Sequence, residues 1–494
     1  MGYDYIVSYL VETVGPSIEG QGSDHDRVNK RTEAGMAKAF RRYLCGMDGD
    51  KGCDYLKMSE DERIYLYNGQ YFEVVKEESL TEIIVEVMER MDVGIVYQMN
   101  SAERIKDFVK NKLISDERCR FEPDRRWVVF KNGVFDTKTG SFVDFSVEYK
   151  TDIVMNYDYR SDASSGLWDN FLVQTVPDAS ARETFHQFCG CFLANRKEYK
   201  IEHLCFVIGE GRNGKSVLCQ AVVNVFDKEV ASSYTPQQLF KSNGDQMAYR
   251  IADVNGKIVN YCDDVTNSDF SGGELKSFVS GGEFTGRSPY SRKSTKLTKV
   301  PLMLCCANNI PPTTDDSDGF FRRFLIIDAP NQIDERDIDT TLIQKLSADD
   351  VKAAIFNWIY EGYKSFVANG GKITVAKTVK DIIEQMKRNA NSLRRWISEY
   401  GYGAVEPKGS NDPNWKSLKE ICSMYAQYCS DFGEPPKARR SVTELLDKMG
   451  VKKERRSSGT WYCLGVVEEV GQKEDDLPVV QFNVDDNNGE GLPF

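Results

Sequence analysis

The chain has 494 residues, 28% of them charged and 40% hydrophobic, with a formal net charge of −12. That length predicts three or four domains, each able to bury a core of its own. No apolar run is long enough to cross a membrane, and the opening MGYDYIVSYL lacks the basic start and apolar stretch of a secretion signal, so a cytoplasmic protein is expected.

The charge is unevenly spread. Residues 467–494 hold eight acidic side chains and one lysine, which leaves a nearly balanced body and marks a disordered acidic tail. Thirteen cysteines form no C-x-x-C pair, and the only histidines are His25, His186 and His203. Reduced cysteines in apolar cores are expected, not a zinc site or disulfides.

Residues 1–60 are polar and glycine-dotted, with one helix expected around Ala34–Leu44 and no assigned role. RIYLYNGQYFEVV then alternates about Asn68-Gly69, a hairpin signal. Helices are expected near Leu80–Met91 and Ser101–Leu113, followed by a second hairpin, RWVVFKNGVFDTKTGSFVDF, turning at Asn132-Gly133 and again at Lys138–Gly140. Together 61–160 read as a small α+β domain. Leu167–Gln174 and Ala179–Ala194 predict a helical collar over 161–195.

IEHLCFVIGEGRNGKS, 201–216, is an apolar strand running into a glycine-rich loop. Gly209, Gly214, Lys215 and Ser216 fit G-x-x-x-x-G-K-[ST], whose glycines let a row of backbone N–H groups approach phosphate oxygens. The expected ATP-binding set is Gly209, Gly211, Asn213, Gly214, Lys215, Ser216 and Val217, with the Ser216 hydroxyl on magnesium and a helix over 214–226 aiming its positive end at the same phosphates. A phosphate loop alone does not choose among kinase, switch and motor.

GKIVNYCDDV, 256–265, reads as a buried strand ending in Asp263-Asp264. One carboxylate, Asp263, suits magnesium, and the other suits polarising the attacking water. KVPLMLCCANNIPP, 299–312, is another buried strand, and its terminal Asn308 can donate to a γ-phosphate. Between them, Gly286–Lys299 holds five basic residues and no acidic one, with Tyr290 interleaved. A hairpin presenting Arg287, Arg292, Lys293 and Lys296 to a DNA backbone is expected. Arg322 and Arg323 in DGFFRRFLIID are candidates for a finger reaching into a neighbouring subunit's site.

Further on, Val351–Asn369 and Val375–Tyr400 read as helices within a segment 346–403, and 404–414 as a linker. Residues 415–466 predict two helices and a hairpin. Lys437–Arg456 in that unit carries eight basic against three acidic side chains.

In order and spacing, 62–466 resembles the superfamily 3 helicases, specifically the phage, plasmid and poxvirus helicase-primase group. GEGRNGKS looks like the Walker A motif of that group and IVNYCDD like Walker B. LKSFVSGGEFTGRSPYSRK is similar to its hairpin motif, LMLCCANNIPP to its sensor motif and GFFRRFLIIDAP to its arginine-finger region. WVVFKNGVFDTKTGSFVDF resembles the domain ahead of the motor, and 415–466 the winged-helix end. The resemblance implies an α/β, AAA+-type P-loop ATPase core over 196–345, preceded by the small mixed domain and collar and followed by a helical segment and winged helix. It implies a homo-hexameric ring that uses ATP and Mg2+ to pull single-stranded or forked DNA, 3′→5′. Asp263, Asp264 and Asn308 would then be catalytic, with Arg323 the finger and Arg322 second. Many relatives carry a primase; residues 1–60 are too short for one. The terminal EGLPF resembles the acidic tips of bacterial single-stranded-DNA-binding proteins, which implies a replication partner for the tail. The rival reading is a non-motor, nucleotide-switched origin-binding or regulatory protein.

Overall fold

The computed structural model describes residues 55–59, 62–90, 99–115, 117–226, 230–240, 245–263, 265, 272–287, 295–297, 299–309, 317–433 and 435–467, together with Val7, Ser8, Val11, Glu12, Ala37 and Phe40. Asp264, Arg292, Lys293 and the acidic segment from 468 onward lie outside the described residues. The chain divides into two units, Met1–Met386 and Lys387–Phe494.

The first unit opens with an antiparallel sheet of β1 (Leu56–Met58), β2 (Ile64–Tyr67) and β3 (Phe72–Val75). Helices Glu77–Arg90 and Met99–Ser115 complete one core with it. Val7, Ala37 and Phe40 pack into that same core, so a boundary at residue 60 would cut through it.

A second meander, β4 (Trp127–Phe130), β5 (Gly133–Asp136) and β6 (Phe142–Val143), is a separate sheet. Phe130 lies opposite Gly133, so the tight turn is Lys131-Asn132, one residue earlier than the sequence signal. Gly133 has φ 154°, and a Cβ there would come within 2.8 Å of Phe142 and the Val143 carbonyl. Phe130, Phe135 and Tyr159 meet Phe356 edge-on, with centroids 4.8–6.0 Å apart. The meander therefore docks on helix Asp349–Ala368, far along the chain. That helix crosses helix Ala179–Gly190 at two glycines: a Cβ on Gly190 would lie 2.2 Å from the Tyr363 nitrogen, and one on Gly362 2.3 Å from the His186 carbonyl. His186 Nε2 and the Trp358 carbonyl, 2.7 Å apart, join the two helices, as does Ser365, which donates to Glu183 at 2.8 Å.

The central sheet is parallel throughout. β7 (Leu204–Ile208), β8 (Ala231–Ser232), β9 (Val259–Cys262), β12 (Leu302–Ala307) and β13 (Phe324–Asp328) lie in the order β13-β7-β12-β9-β8. The runs LCFVI and LMLCCA are buried at every position, as strands covered on both faces must be. Between β9 and β12 the chain forms the short hairpin of β10 (Thr285–Gly286) and β11 (Thr295–Lys296).

The expected helix Val375–Tyr400 is two helices, Lys377–Ala390 and Ser392–Glu399. Asn391 stops the first and caps the second, accepting from the N–H groups of Leu393 and Arg394. In the second unit, Leu393 and Trp396 share a core with helices Leu418–Asp431 and Arg439–Lys448. Four short strands complete it: β14 (Tyr402–Ala404), β15 (Trp415–Ser417), β16 (Lys453–Arg456) and β17 (Gly459–Val466), with β17 pairing all three others.

Gly362→Ala decides whether the helix crossing limits stability. Removing a mid-helix glycine favours the helix by about 1 kcal/mol. Backbone lies within 2.3 Å of the new methyl, however, and cannot swing aside as a side chain does. A net loss of about 1–3 kcal/mol is expected, read as a lowered denaturation midpoint.

Candidate active site

Register places the site. Ile208 is paired with Ala307, so Gly209 and Asn308 leave the sheet side by side. Cys262 is paired with Cys305, so Asp263 leaves next to Cys306. In an open parallel sheet the crevice at these carboxyl ends is where ligands bind.

Gly209 starts the loop with φ 154°; a Cβ there would lie 1.9 Å from Asn213 Nδ2 and 2.4 Å from the Ala329 carbonyl. Arg212 and Gly214 are also left-handed, at φ 67° and 75°. Asn213 is buried and donates to the Ala329 carbonyl at 2.7 Å, which ties the loop to the end of β13. The Ile333 N–H donates to the Arg212 carbonyl at 2.7 Å, and Arg212 pairs with Glu335 at 2.5 Å, so the outer side is braced too. Helix Lys215–Val223 follows with Gly214 as its N-cap. The Lys215 amine is buried, and its contact with Asn213 Oδ1 is long, at 3.4 Å. Ser216 and Val217 are half-buried in the first turn, while Gly211 is exposed and has open space where a side chain would go.

Tyr261 was not among the candidates. Its hydroxyl donates to Asp263 Oδ1 at 2.7 Å and lies 3.4 Å from the Ser216 carbonyl. Burial pushes its phenol well up, so it stays a donor. One side chain thus holds the carboxylate beside the residue whose hydroxyl was expected on magnesium. Residues 261 and 263 share a strand face, the one signal that could have found it. Asn308 is exposed, and its amide has no hydrogen-bond partner among the described residues.

The two arginines occupy the opposite edge of the sheet. Phe324 is paired with Leu204, the first residue of β7, so Arg322 and Arg323 lie a full strand from Gly209, about 16 Å at the usual rise. They differ in their surroundings. Arg323 is held inside the protomer, donating to Ser280 Oγ at 2.9 and 2.7 Å and to the Gly319 carbonyl, with Glu202 at 3.8 Å. Arg322 keeps 65% of its side chain exposed, 3.9 Å from Glu202.

The hairpin is anchored at its base. A Cβ on Gly286 would lie 2.5 Å from the Ala252 nitrogen, so β10 lies directly on helix Asp245–Val254. Arg287 pairs with Asp245 at 2.9 Å and sits over Tyr249, whereas Lys296 is exposed.

Residues 207–323, which span the phosphate loop to Arg323, match a family of unknown function, DUF5906. Residues 37–177 match the family described as D5 N terminal like. Among solved structures, the apo structure of the NrS-1 C-terminal region (residues 305–718) is similar at 13% identity and a TM-score of 0.48, over 84% of this chain and 96% of that one. Two A-form apo structures of the same region give TM-scores of 0.47 and 0.45 at 13% and 12% identity, with the same coverage. No helix among the described residues is long and apolar enough to cross a membrane.

The contrast between the arginines is directly measurable. Arg323→Ala removes charged donors from half-buried acceptors and should cost about 1.5–3 kcal/mol. Arg322→Ala, at an exposed position, should stay within about 0.5 kcal/mol. Thermal denaturation of the two variants checks both.

Proposed function

We propose that this chain is an ATP-driven DNA helicase of the superfamily 3 type, working in replication as a homo-hexameric ring that moves 3′→5′ along one strand. The observation that carries the reading is the Tyr261 bridge, which holds Asp263 beside Ser216 at the mouth of the glycine loop. The D5 N terminal like match supports it, because it covers the stretch resembling the domain ahead of the motor in that group.

The residues fit a magnesium–triphosphate: a cradle that a Cβ at Gly209 would fill, a buried amine at Lys215, and a hydroxyl beside a carboxylate. Magnesium, when bound, neutralises charge across the phosphates. Gly209, Gly211, Asn213, Gly214 and Val217 shape the loop whose N–H groups receive phosphate oxygens. Lys215 would place its charge between the β- and γ-positions, and Ser216 and Asp263 would hold the ion. Asp264 takes the proton of the attacking water, and Asn308 orients the γ-phosphate.

An arginine a strand's length from its own loop cannot reach its own phosphates, so a finger here must act on the neighbouring subunit's site. Arg322 takes that role over Arg323, because Arg323 is already committed to Ser280 and Gly319. Arg287, Arg292, Lys293 and Lys296 grip the DNA backbone.

A second reading, a nucleotide-switched origin-binding factor, is favoured by the hairpin of the second unit. There Arg456 is sandwiched between Trp415 and Trp461, at 5.2 and 4.6 Å, beside Lys453 and Arg455. Single-stranded DNA should raise ATP turnover many-fold in a motor and leave it slow in a switch.

Lys215→Ala should abolish turnover and unwinding. Arg322→Ala should keep nucleotide binding and lose about 10³-fold or more in turnover, the range of trans-acting fingers. Mixing these two variants should restore part of the activity, because some mixed interfaces combine an intact loop with an intact finger. Retained unwinding by the Lys215 variant would refute the motor. Tyr261→Phe should fold normally but require several-fold more magnesium for half-maximal turnover, seen by titrating the metal at saturating ATP.

A further inference from the structure

A cleft of the first unit lies away from the phosphate loop and meets the basic hairpin segment only at Lys296 and Lys299. Its volume is about 780 Å³, enough for roughly two nucleotides by the usual size of ligand sites. One wall is the β2–β3 hairpin, the floor is the segment around Arg120 and Asp152, and the other wall is the Gly256-Lys257 turn with the base of the β10–β11 hairpin.

In a chain of net −12, this cleft is basic. Seven Lys or Arg side chains line it against three acidic ones, including Arg63, Lys76, Arg120, Lys257, Lys296 and Lys299. Some of that charge is neutralised in place: Arg120 lies 3.6 Å from Glu122, and Lys299 lies 3.5 Å from Asp152. Lys76 and Lys296, on opposite walls, are exposed and have no ion-pair partner among the described residues. Half-buried Tyr71 and the nearly buried edge of Tyr65, which stacks on Phe121 with centroids 4.0 Å apart, add aromatic surface beside Arg63.

The cleft also continues. A second cavity of about 410 Å³ shares Glu122, Pro123, Lys197 and Lys299 with it and runs on past Arg196 to Ser280. Beneath the junction Arg125 is buried, donating to the carbonyls of Gly256 and Lys257 at 3.0 and 3.2 Å. Its Nε and Asp152 Oδ1 are buried without a hydrogen-bond partner among the described residues. Buried polar atoms left unpartnered next to a basic trough are what a bound polar ligand or its water would satisfy.

We infer that this trough, from Lys76 and Tyr71 across to the hairpin base at Lys296 and Lys299, is a second binding site for the sugar–phosphate backbone of a single nucleic-acid strand. It rests on the proposed function for the source of that strand and extends its track beyond the hairpin. A row of cations with an aromatic face recognises phosphodiester and base without regard to sequence.

The test uses the full chain and a fluorescent oligothymidylate, read by anisotropy over a salt series, with Lys76→Glu and Tyr71→Ala as variants. Each should weaken binding about 10-fold while DNA-free ATP turnover stays at the wild-type rate. The salt slope of Lys76→Glu should fall by about 0.7, one phosphate contact on a single strand. Unchanged affinity and slope with turnover intact would overturn the site and leave the motor reading standing. Loss of turnover in Lys215→Ala with wild-type anisotropy speaks to the motor alone. Displacement of the oligonucleotide by equimolar inorganic triphosphate would also overturn it, by showing a small-phosphate pocket. In the wild-type protein, a 4-thiothymidine oligonucleotide should photo-crosslink to the peptide spanning residues 63–76; crosslinks confined to 287–296 would count against the trough.

Discussion

The pairing register of three parallel strands governs this molecule. Because β12 lies between β7 and β9, the chain leaves the sheet at Gly209, Asn308 and Asp263 on one edge. A slip of one residue in any strand would force every side chain of its run into the packing on the other face and carry its terminal residue away from the others. Burial at every position of LCFVI and LMLCCA is therefore also what holds the chemistry in place. The same parallel arrangement places Arg322 at the far edge.

Much of this was legible because the signals are local. A glycine loop between an apolar strand and a helix is a short-range pattern, as are the Asn-Gly turns and the continuous apolar runs LCFVI and LMLCCA. The helix around Glu77–Arg90 and the paired strands of the second unit fall within a few residues of where periodicity places them. What sequence did not convey depends on partners far along the chain. Nothing in Phe130 or Phe135 says that their ring faces belong to Phe356. Val7, and Ala37 and Phe40 in the stretch expected to be helical, carry no sign of which core they join until the strands of that core are present. Arg322 and Arg323 are chemically identical neighbours; only the position of Ser280 and Gly319 tells the engaged one from the exposed one.

Arg125 shows how the first segment is made inseparable from the parallel sheet. A fully buried guanidinium is costly, and burial lowers its proton affinity against the opposing pull of Asp152. It is kept by carbonyls of the Gly256-Lys257 turn, which leads directly into β9 and so to Asp263. Arg196 does the same nearby, donating to the carbonyls of Val279, Val300 and Ile201 at 2.5–3.0 Å, with burial pulling its pKa down to about 10. These carbonyls lie just ahead of β7 and β12 and at the end of the helix Gly272–Val279 that precedes the hairpin. Moving the turn or the hairpin base would strand a charge, at a cost several times that of an ordinary hydrogen bond. The β9 edge, the base of the hairpin and the segment around Arg125 must therefore shift as one body or not at all. Any displacement of β9 that moves Asp263 is then shared with the Gly256-Lys257 turn, which lines the cleft together with Lys296 and Lys299.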